Sequence, residues 1–411
     1  MGMDIYARLG VRRVINAAGT LTRLGGSRMA PEVLAAMAEA SQAYVRIEDL
    51  QVAAGAVIAR VTGAEAGYVT SGAAAGLLLG TAACVAGDDA TLMEAMPDLS
   101  AVTRNEVIVQ RAHRNSYDHA VRGAGVRLVE IGGVGHPTPV PTRPFDLDRA
   151  IGPRTAAVLW VEMGDPEALG VLSLPETTAI AARHGVPVIV DAAASLPPPS
   201  NLRRFIDEGA SLVCFSGGKA IGGPQASGIL AGRADLIRSV ALQHQDMDVH
   251  PETWTWHHLI ADGTLDGPPL QGIGRACKVG REEVAGLVVA LERFVARDHA
   301  AELRARQAMA STIADGLVRG LAGVGAVRVE AHDGATSWRP SVTLAFDGPM
   351  RRAQAIGVTN RLASGDPSVA VGQGGLDRGT ISLSTTCLAE AEIEALVSAV
   401  LRAVSDEVRA G

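Results

Sequence analysis

From about residue 64 to residue 232, short apolar runs rich in β-branched residues alternate with stretches of helical composition, the pattern of parallel strands joined by crossover helices. The runs predict strands over 65–70, 106–110, 127–131, 155–161, 186–190, 211–215 and 227–230. Helices are predicted between them over 72–85, 116–124, 174–184 and 201–208. Together these elements describe one α/β domain with a mostly parallel central sheet.

Past Gly280 the pattern changes to one long amphipathic run, REEVAGLVVALERFVARDHAAELRARQAMASTIADGLVRGL, long enough to lead from one domain to the next. A small α+β unit follows, with strands near 327–329, 341–346 and 380–384 and a closing helix over 389–404. The first 50 residues carry little sheet signal and several Gly, Thr and Arg residues, so they are expected to wrap over the domain or over a partner subunit. The expected organisation is an N-terminal segment 1–50, a large domain 51–280, and a linker helix with a small C-terminal domain 281–411. A length of 411 residues suits two cores rather than one.

With 47% hydrophobic and 20% charged residues, the composition suits helices on both faces of a buried sheet and not a disordered chain. No apolar run reaches the roughly 18 to 20 residues of a bilayer span, and MGMDIYARLG lacks the apolar stretch of a signal peptide. A soluble, cytoplasmic protein with no membrane association is expected. The net charge of −7 gives no basic footprint, so nothing in the bulk electrostatics favours a nucleic-acid partner. Cys84, Cys214, Cys277 and Cys387 are scattered with no CxxC pair, which predicts neither disulfides nor a zinc site.

In an open parallel sheet, ligands bind beyond the carboxyl ends of the strands, so polar residues directly after predicted strands are the first to inspect. The turn TSGAAAG places Ser71, Gly72 and Ala73 at a helix start, where unpaired amides and the positive dipole end favour a phosphate; an ordinary N-cap with small residues for close packing explains the turn equally well. Asp191 follows five apolar residues, so its carboxylate is buried unless a cation such as a protonated ring nitrogen meets it; the alternative is a carboxylate that only caps the next turn. Lys219 lies after a buried strand in the glycine-rich loop CFSGGKAIGGPQASG, and a desolvated lysine there is a nucleophile for a carbonyl, the chemistry of a Schiff base. A surface loop with an exposed lysine is the competing explanation.

Two nucleotide-binding patterns fail on spacing. Val213 stands where a P-loop needs its first Gly and Ala220 where it needs Ser or Thr, and no GxGxxG opens a strand–turn–helix unit with an acidic residue about 20 positions later. His113, in QRAHRNSYDHAV, follows another predicted strand, so its ring reaches the same sheet edge and is expected to stack on a planar cofactor rather than bind a metal. His244, Asp246, Asp248, His250, His257 and His258 lack a recognised ligand spacing, and a polar loop near the mouth of the site is expected there, with no metal.

The segments RRVINAAGT, VTSGAAAGL, RNEVIVQRAHRNSYDHA, VIVDAAASLPP, FSGGKAIGGPQASG, GIGRACKVGREEV and SGDP, in this order over residues 12–366, resemble the fold type I pyridoxal-phosphate (PLP) enzymes similar to bacterial selenocysteine synthase, the L-seryl-tRNA selenium transferases. The GIGR and KVG segment looks closest to the branch that includes D-glucosaminate-6-phosphate ammonia-lyase. The resemblance implies an aspartate-aminotransferase-like large domain and a small C-terminal α+β domain. By matching positions it implies that Lys219 is the Schiff-base lysine, Asp191 the partner of the pyridine nitrogen and His113 the ring-stacking residue. Ser71, Gly72, Ala73 and Ser216 become the phosphate seat, and Gln225 in GGPQ helps build a site at a dimer interface. The selenium transferases usually carry an acidic residue at Gly217 and an additional N-terminal tRNA-binding domain, for which there is no room ahead of Val14; ISLSTTCL departs from the usual family ending with Pro and Arg.

The chemistry implied is α,β-elimination by a lyase of the ammonia-lyase or dehydratase type on a small β-substituted amino acid or amino sugar acid, with Lys219 as the base for the Cα proton. Arg275 and Lys278, or Arg12, Arg23 and Arg28, are the candidates for holding an acidic substrate. Amino acid racemisation and a selenium transferase acting on seryl-tRNA are the alternatives. The partners implied are a small-molecule amino acid and a second copy of the chain, in a dimer or larger assembly.

Overall fold

The computed structural model describes residues 4–133, 140–324, 327–335 and 337–410. Strand β1 (Val14–Ala17) is followed by the strands of the central sheet: β2 (Ala66–Thr70), β3 (Glu106–Gln110), β4 (Arg127–Ile131), β5 (Thr155–Val161), β6 (Val188–Asp191), β7 (Leu212–Ser216) and β8 (Gly228–Gly232). Strands β9 (Val327–His332), β10 (Ser341–Phe346), β11 (Ser368–Val371) and β12 (Thr380–Ser384) lie in the C-terminal part.

The chain divides into two compact units, residues 29–296 and residues 1–28 with 297–411. This division falls elsewhere than the expected cuts after residues 50 and 280. The helices Pro31–Ala40 and Ile47–Thr62 both pack against the helix Arg281–Ala296, which keeps both ends of this stretch with the large sheet.

In the 29–296 unit the strand order is β2-β8-β7-β6-β5-β3-β4. All pairings are parallel except those of β8, which runs antiparallel to both β7 and β2. The reversal comes from the loop after β7, which folds back so that the Gly217 amide donates to the Ser227 carbonyl at 2.9 Å. Every residue of β3 and β5 is buried, because helices cover both faces and each strand feeds two cores. Val107, Leu159, Leu212 and Cys214 face one core. Ile108, Val158, Val213 and Phe215, their neighbours in sequence, face the other.

Local sequence sets the crossover helices. Ser173 caps the helix Leu174–Arg183, with Glu176 completing a capping box and Pro175 in the first turn. The helix Ala73–Ala86 is made of small and aliphatic residues, is buried on nearly every side, and has no side-chain cap at Gly72. No helix of the described residues is long and apolar enough to cross a membrane.

The other unit holds the antiparallel sheet β12-β10-β9 and a parallel pair, β1 with β11, in which Val14 aligns with Ser368. Its core joins Ile313, Leu317, Val342, Leu344, Ile381, Leu396 and Val400 from sheet and helices. The long amphipathic run is two helices, Arg281–Ala296 and His299–Gly320, and the Asp298 carboxylate caps the second by accepting from the Ala301 amide at 2.8 Å.

Candidate active site

Strands β2, β3, β5, β6 and β7 run in one direction, so their carboxyl ends share one sheet edge. Register places Asp191 beside Val161 on one side and Cys214 on the other. Ser216, at the end of β7, pairs with Gly228, which in turn pairs with Thr70. The residues singled out in sequence at 71–73, 113, 191, 216 and 219 therefore follow or end strands at this edge.

At the β2 end, the Thr70 hydroxyl donates to the Gly72 carbonyl at 2.9 Å, and Gly72 takes φ +115°, a conformation that suits glycine. The helix that starts at Ala73 presents first-turn amides that no side chain caps. Space for this turn depends on Gly228, where a Cβ would lie 2.6 Å from the Gly72 carbonyl carbon and 2.8 Å from the Ala73 nitrogen. Ser71 is tied to a distant segment, its hydroxyl donating to the Cys277 carbonyl at 2.8 Å.

At the β6 end, the Asp191 carboxylate accepts from the Ala193 amide at 3.0 Å. Burial pushes its pKa above the ordinary carboxylate range, while that amide and the charge of Lys219 pull it back down. Lys219 sits in the turn Gly217–Ile221 with φ −106° and ψ −124°, a break in the helical backbone. The chain contains two lysines, Lys219 and Lys278, and Lys219 is the one at this edge.

His113 is 1% exposed. Its Nδ1 accepts the Val161 amide at 3.3 Å, and its ring meets the edge of Trp160 at 5.2 Å and 82°. Its Nε2 is buried and has no partner among the described residues. Burial pushes the pKa down to about 4, so the ring is neutral and, with Nδ1 accepting, carries its proton on Nε2.

Gln225 is exposed on the loop that leads into β8. Of the residues grouped by sequence around 244–258, His244 is buried between Tyr68 and the Cys277 carbonyl, whereas the Asp246 carboxylate pairs with Arg275 at 3.2 Å near the surface. Among the other cation candidates, Arg12 donates to the carbonyls of Ser364 and Gly365, and Arg28 pairs with Glu392, all within the smaller unit. Sequence reasoning did not identify Tyr68; its place in a strand that ends at the Ser71 turn was the available signal.

An open, mostly parallel sheet with a lysine turn after one strand, a carboxylate ending the next and an uncapped helix start at the same edge defines a pyridoxal-phosphate-dependent enzyme of fold type I. The chain belongs to the L-seryl-tRNA selenium transferase family, whose model matches residues 14–247. It is 33% identical over 410 residues to D-glucosaminate-6-phosphate ammonia lyase of Salmonella typhimurium, with 99% of each chain covered. It is 32% identical to 5'-C-glycyluridine monooxygenase-decarboxylase of a Streptomyces species over 89% of this chain and 83% of that one. A solved structure of D-glucosaminate-6-phosphate ammonia-lyase superposes with a TM-score of 0.77 at 30% identity, covering 99% of this chain and 100% of that one.

Proposed function

We propose that the protein is a PLP-dependent lyase that releases ammonia by α,β-elimination from an acidic, β-hydroxylated amino acid of the amino sugar acid class. The similarity over the full length to an ammonia lyase, in sequence and fold, carries this reading.

The side chains at the sheet edge fit the cofactor. The buried Nε2–H of His113 lacks a partner among the described residues and is the kind of group a bound ligand satisfies. Asp191 is a carboxylate desolvated by burial, which a protonated pyridine nitrogen stabilises. The turn at Ser71 with its uncapped amides at Gly72 and Ala73, and the hydroxyl of Ser216, suit a phosphate, while the Ser71 hydroxyl ties the turn to the Cys277 carbonyl. Lys219 would hold the cofactor covalently, and His113 would lie against its ring.

When bound, PLP supplies an electron sink for the pair left at Cα after deprotonation. Lys219 would take the Cα proton. The β-hydroxyl departs with a proton as water, and the released enamine hydrolyses to a 2-oxo acid and ammonia. Asp191 would meet the cationic ring nitrogen as a carboxylate, and His113 would offer its neutral Nε2–H as a donor. The enzyme acts in the cytoplasm on a small molecule and as a homodimer or larger assembly, with the exposed Gln225 loop at the subunit boundary. Exposed Tyr44, Val45, Ile47 and Val52 support such an assembly.

The test is an absorption spectrum of purified protein with and without added PLP, followed by ammonia and 2-oxo acid assays on D- and L-amino acids and phosphorylated amino sugar acids. A visible band absent from Lys219→Ala, with ammonia and oxo acid formed in equal amounts, supports the lyase. Inverted substrate without ammonia replaces it with a racemase, and no band after PLP is added overturns the cofactor assignment.

A further inference from the structure

The 29–296 unit holds a buried polar bridge that the residues discussed so far do not account for. His244 ends the helix Ala234–His244 and is 6% exposed. Its Nε2 lies 3.0 Å from the Cys277 carbonyl oxygen, which can only accept, so Nε2 carries the proton. Nδ1 is then the acceptor for the Tyr68 hydroxyl at 2.9 Å, and burial, which lowers the His244 pKa, keeps the ring in this neutral form. The same Cys277 carbonyl receives the Ser71 hydroxyl at 2.8 Å. One carbonyl is thus pinned by two donors, one of them in the turn that forms the anion seat.

That carbonyl ends the 3-10 turn Ile273–Cys277 in the segment GIGRACKVG. The glycines of GIGR bring this segment against the end of the His244 helix. A Cβ on Gly272 would stand 2.7 Å from the Gln243 carbonyl oxygen, and one on Gly274 would stand 2.9 Å from the His244 Cα. Arg275 and Lys278 project from the same segment and line, with Tyr68 and His244, a cavity of 660 Å³. The size falls in the range of small-molecule sites.

We propose that His244 is a positioning residue: together with Ser71 it fixes the Cys277 carbonyl, and so holds both the anion-seat turn and the adjacent Lys278, which lines the cavity and receives the distal acidic group of the substrate. The substrate part of this inference rests on the lyase reading above; the positioning of the seat does not. Tyr68 holds the ring in the tautomer that the bridge requires.

The test compares His244→Phe, which keeps a ring but removes both nitrogens, with His244→Gln, whose amide can still donate to Cys277. PLP affinity of each apoprotein is measured by spectral titration, and KM and kcat are measured with a phosphorylated amino sugar acid. His244→Phe is expected to weaken cofactor binding and raise KM by about tenfold each, the worth of one buried hydrogen bond, with kcat within about twofold. His244→Gln is expected to recover most of both losses, and Tyr68→Phe, the milder change should His244→Phe not fold, is expected to show about a threefold effect in the same direction. A lower unfolding midpoint with unchanged PLP affinity and KM would mean the bridge is only structural and would overturn the proposal. If the wild-type enzyme releases no ammonia, the lyase reading fails while the PLP titration still decides the positioning role.

Discussion

The Val161 amide donates to Nδ1 of His113 at 3.3 Å, and this bond decides where the imidazole proton resides. With Nδ1 occupied as an acceptor and the ring buried against Trp160, the proton lies on Nε2, the atom without a partner among the described residues. Leaving such an N–H buried costs on the order of 1–3 kcal/mol, so the apoprotein carries a destabilising group that a ligand acceptor relieves.

The stability of the apoprotein should fall in acid below the ordinary histidine range. His113 has a folded-state pKa of about 4 against an ordinary value of 6.5, so the unfolded chain binds this proton first. The stabilisation is complete above pH 6.5 and is lost as the pH drops toward 4. At about 1.36 kcal/mol per pH unit, the upper limit is roughly 3 kcal/mol. His244, also lowered by burial, adds a slope of the same sign. Urea midpoints between pH 7 and pH 4 check this: His113→Phe should flatten the slope in part, and a wild-type midpoint independent of pH would contradict it.

Gly228→Ala should open the anion seat. The new methyl would lie 2.6 Å from the Gly72 carbonyl carbon; Gly228 is held by pairing with Thr70 and Ser216 and the atom it meets is backbone, so neither side can yield easily. Overpacking of this kind costs about 1–3 kcal/mol. PLP affinity should fall about tenfold or more, with a lower unfolding midpoint. The control is Gly267→Ala, where a Cβ meets nothing within 4 Å and both quantities should be unchanged.

The central sheet was legible because strands buried on both faces are near-continuous apolar runs, as in β3 and β5, which match their expected spans over 106–110 and 155–161; the partly exposed edge strand β4 also matches its span, 127–131. Strand β6 starts two residues later than its apolar run, at Val188, since Pro187 has no amide to add to the ladder. The single helix expected over 116–124 is instead a 3-10 turn, Ser116–Asp118, and the helix His119–Gly123. The Asn115 side chain caps the turn, and the Asp118 carboxylate is drawn to Arg114 and Arg122. Strands β1 and β11, four residues each, stabilise one another across most of the chain length, which local pattern cannot reveal. Lys219, Asp191 and His113 stood out because each lies at or within a few residues of the end of an expected strand. The bridge from Tyr68 to His244 to Cys277 joins residues 176 and 33 positions apart, and only the folded chain shows it.

Asp191→Asn should stabilise the apoprotein at neutral pH while disabling the enzyme. Burial raises the Asp191 pKa, so its carboxylate lowers stability at every pH where it is ionised, and the neutral amide removes that cost. The gain in unfolding midpoint should vanish in acid, below the ordinary carboxylate pKa of 3.8, where Asp191 is protonated in both states. Ammonia release should drop about a hundredfold or more, the scale of losing one member of a buried charge pair. A destabilised apoprotein at pH 7 would mean that the carboxylate is held by contacts stronger than the single amide of Ala193.

Lys219 and Asp191 should also couple energetically before any cofactor binds. The lysine charge lowers the Asp191 pKa, partly offsetting the burial that raises it, so removing that charge leaves the carboxylate more costly. In a Lys219→Met background, Asp191→Asn should therefore raise the unfolding midpoint by more than it does in the wild-type background, and the difference measures the pair. The coupling should be of order 0.5–3 kcal/mol and should shrink below pH 3.8, where the carboxylate is neutral. Strict additivity at pH 7 would show that Lys219 does not sense Asp191 in the apoprotein, and would leave the ionised carboxylate waiting for the cofactor alone.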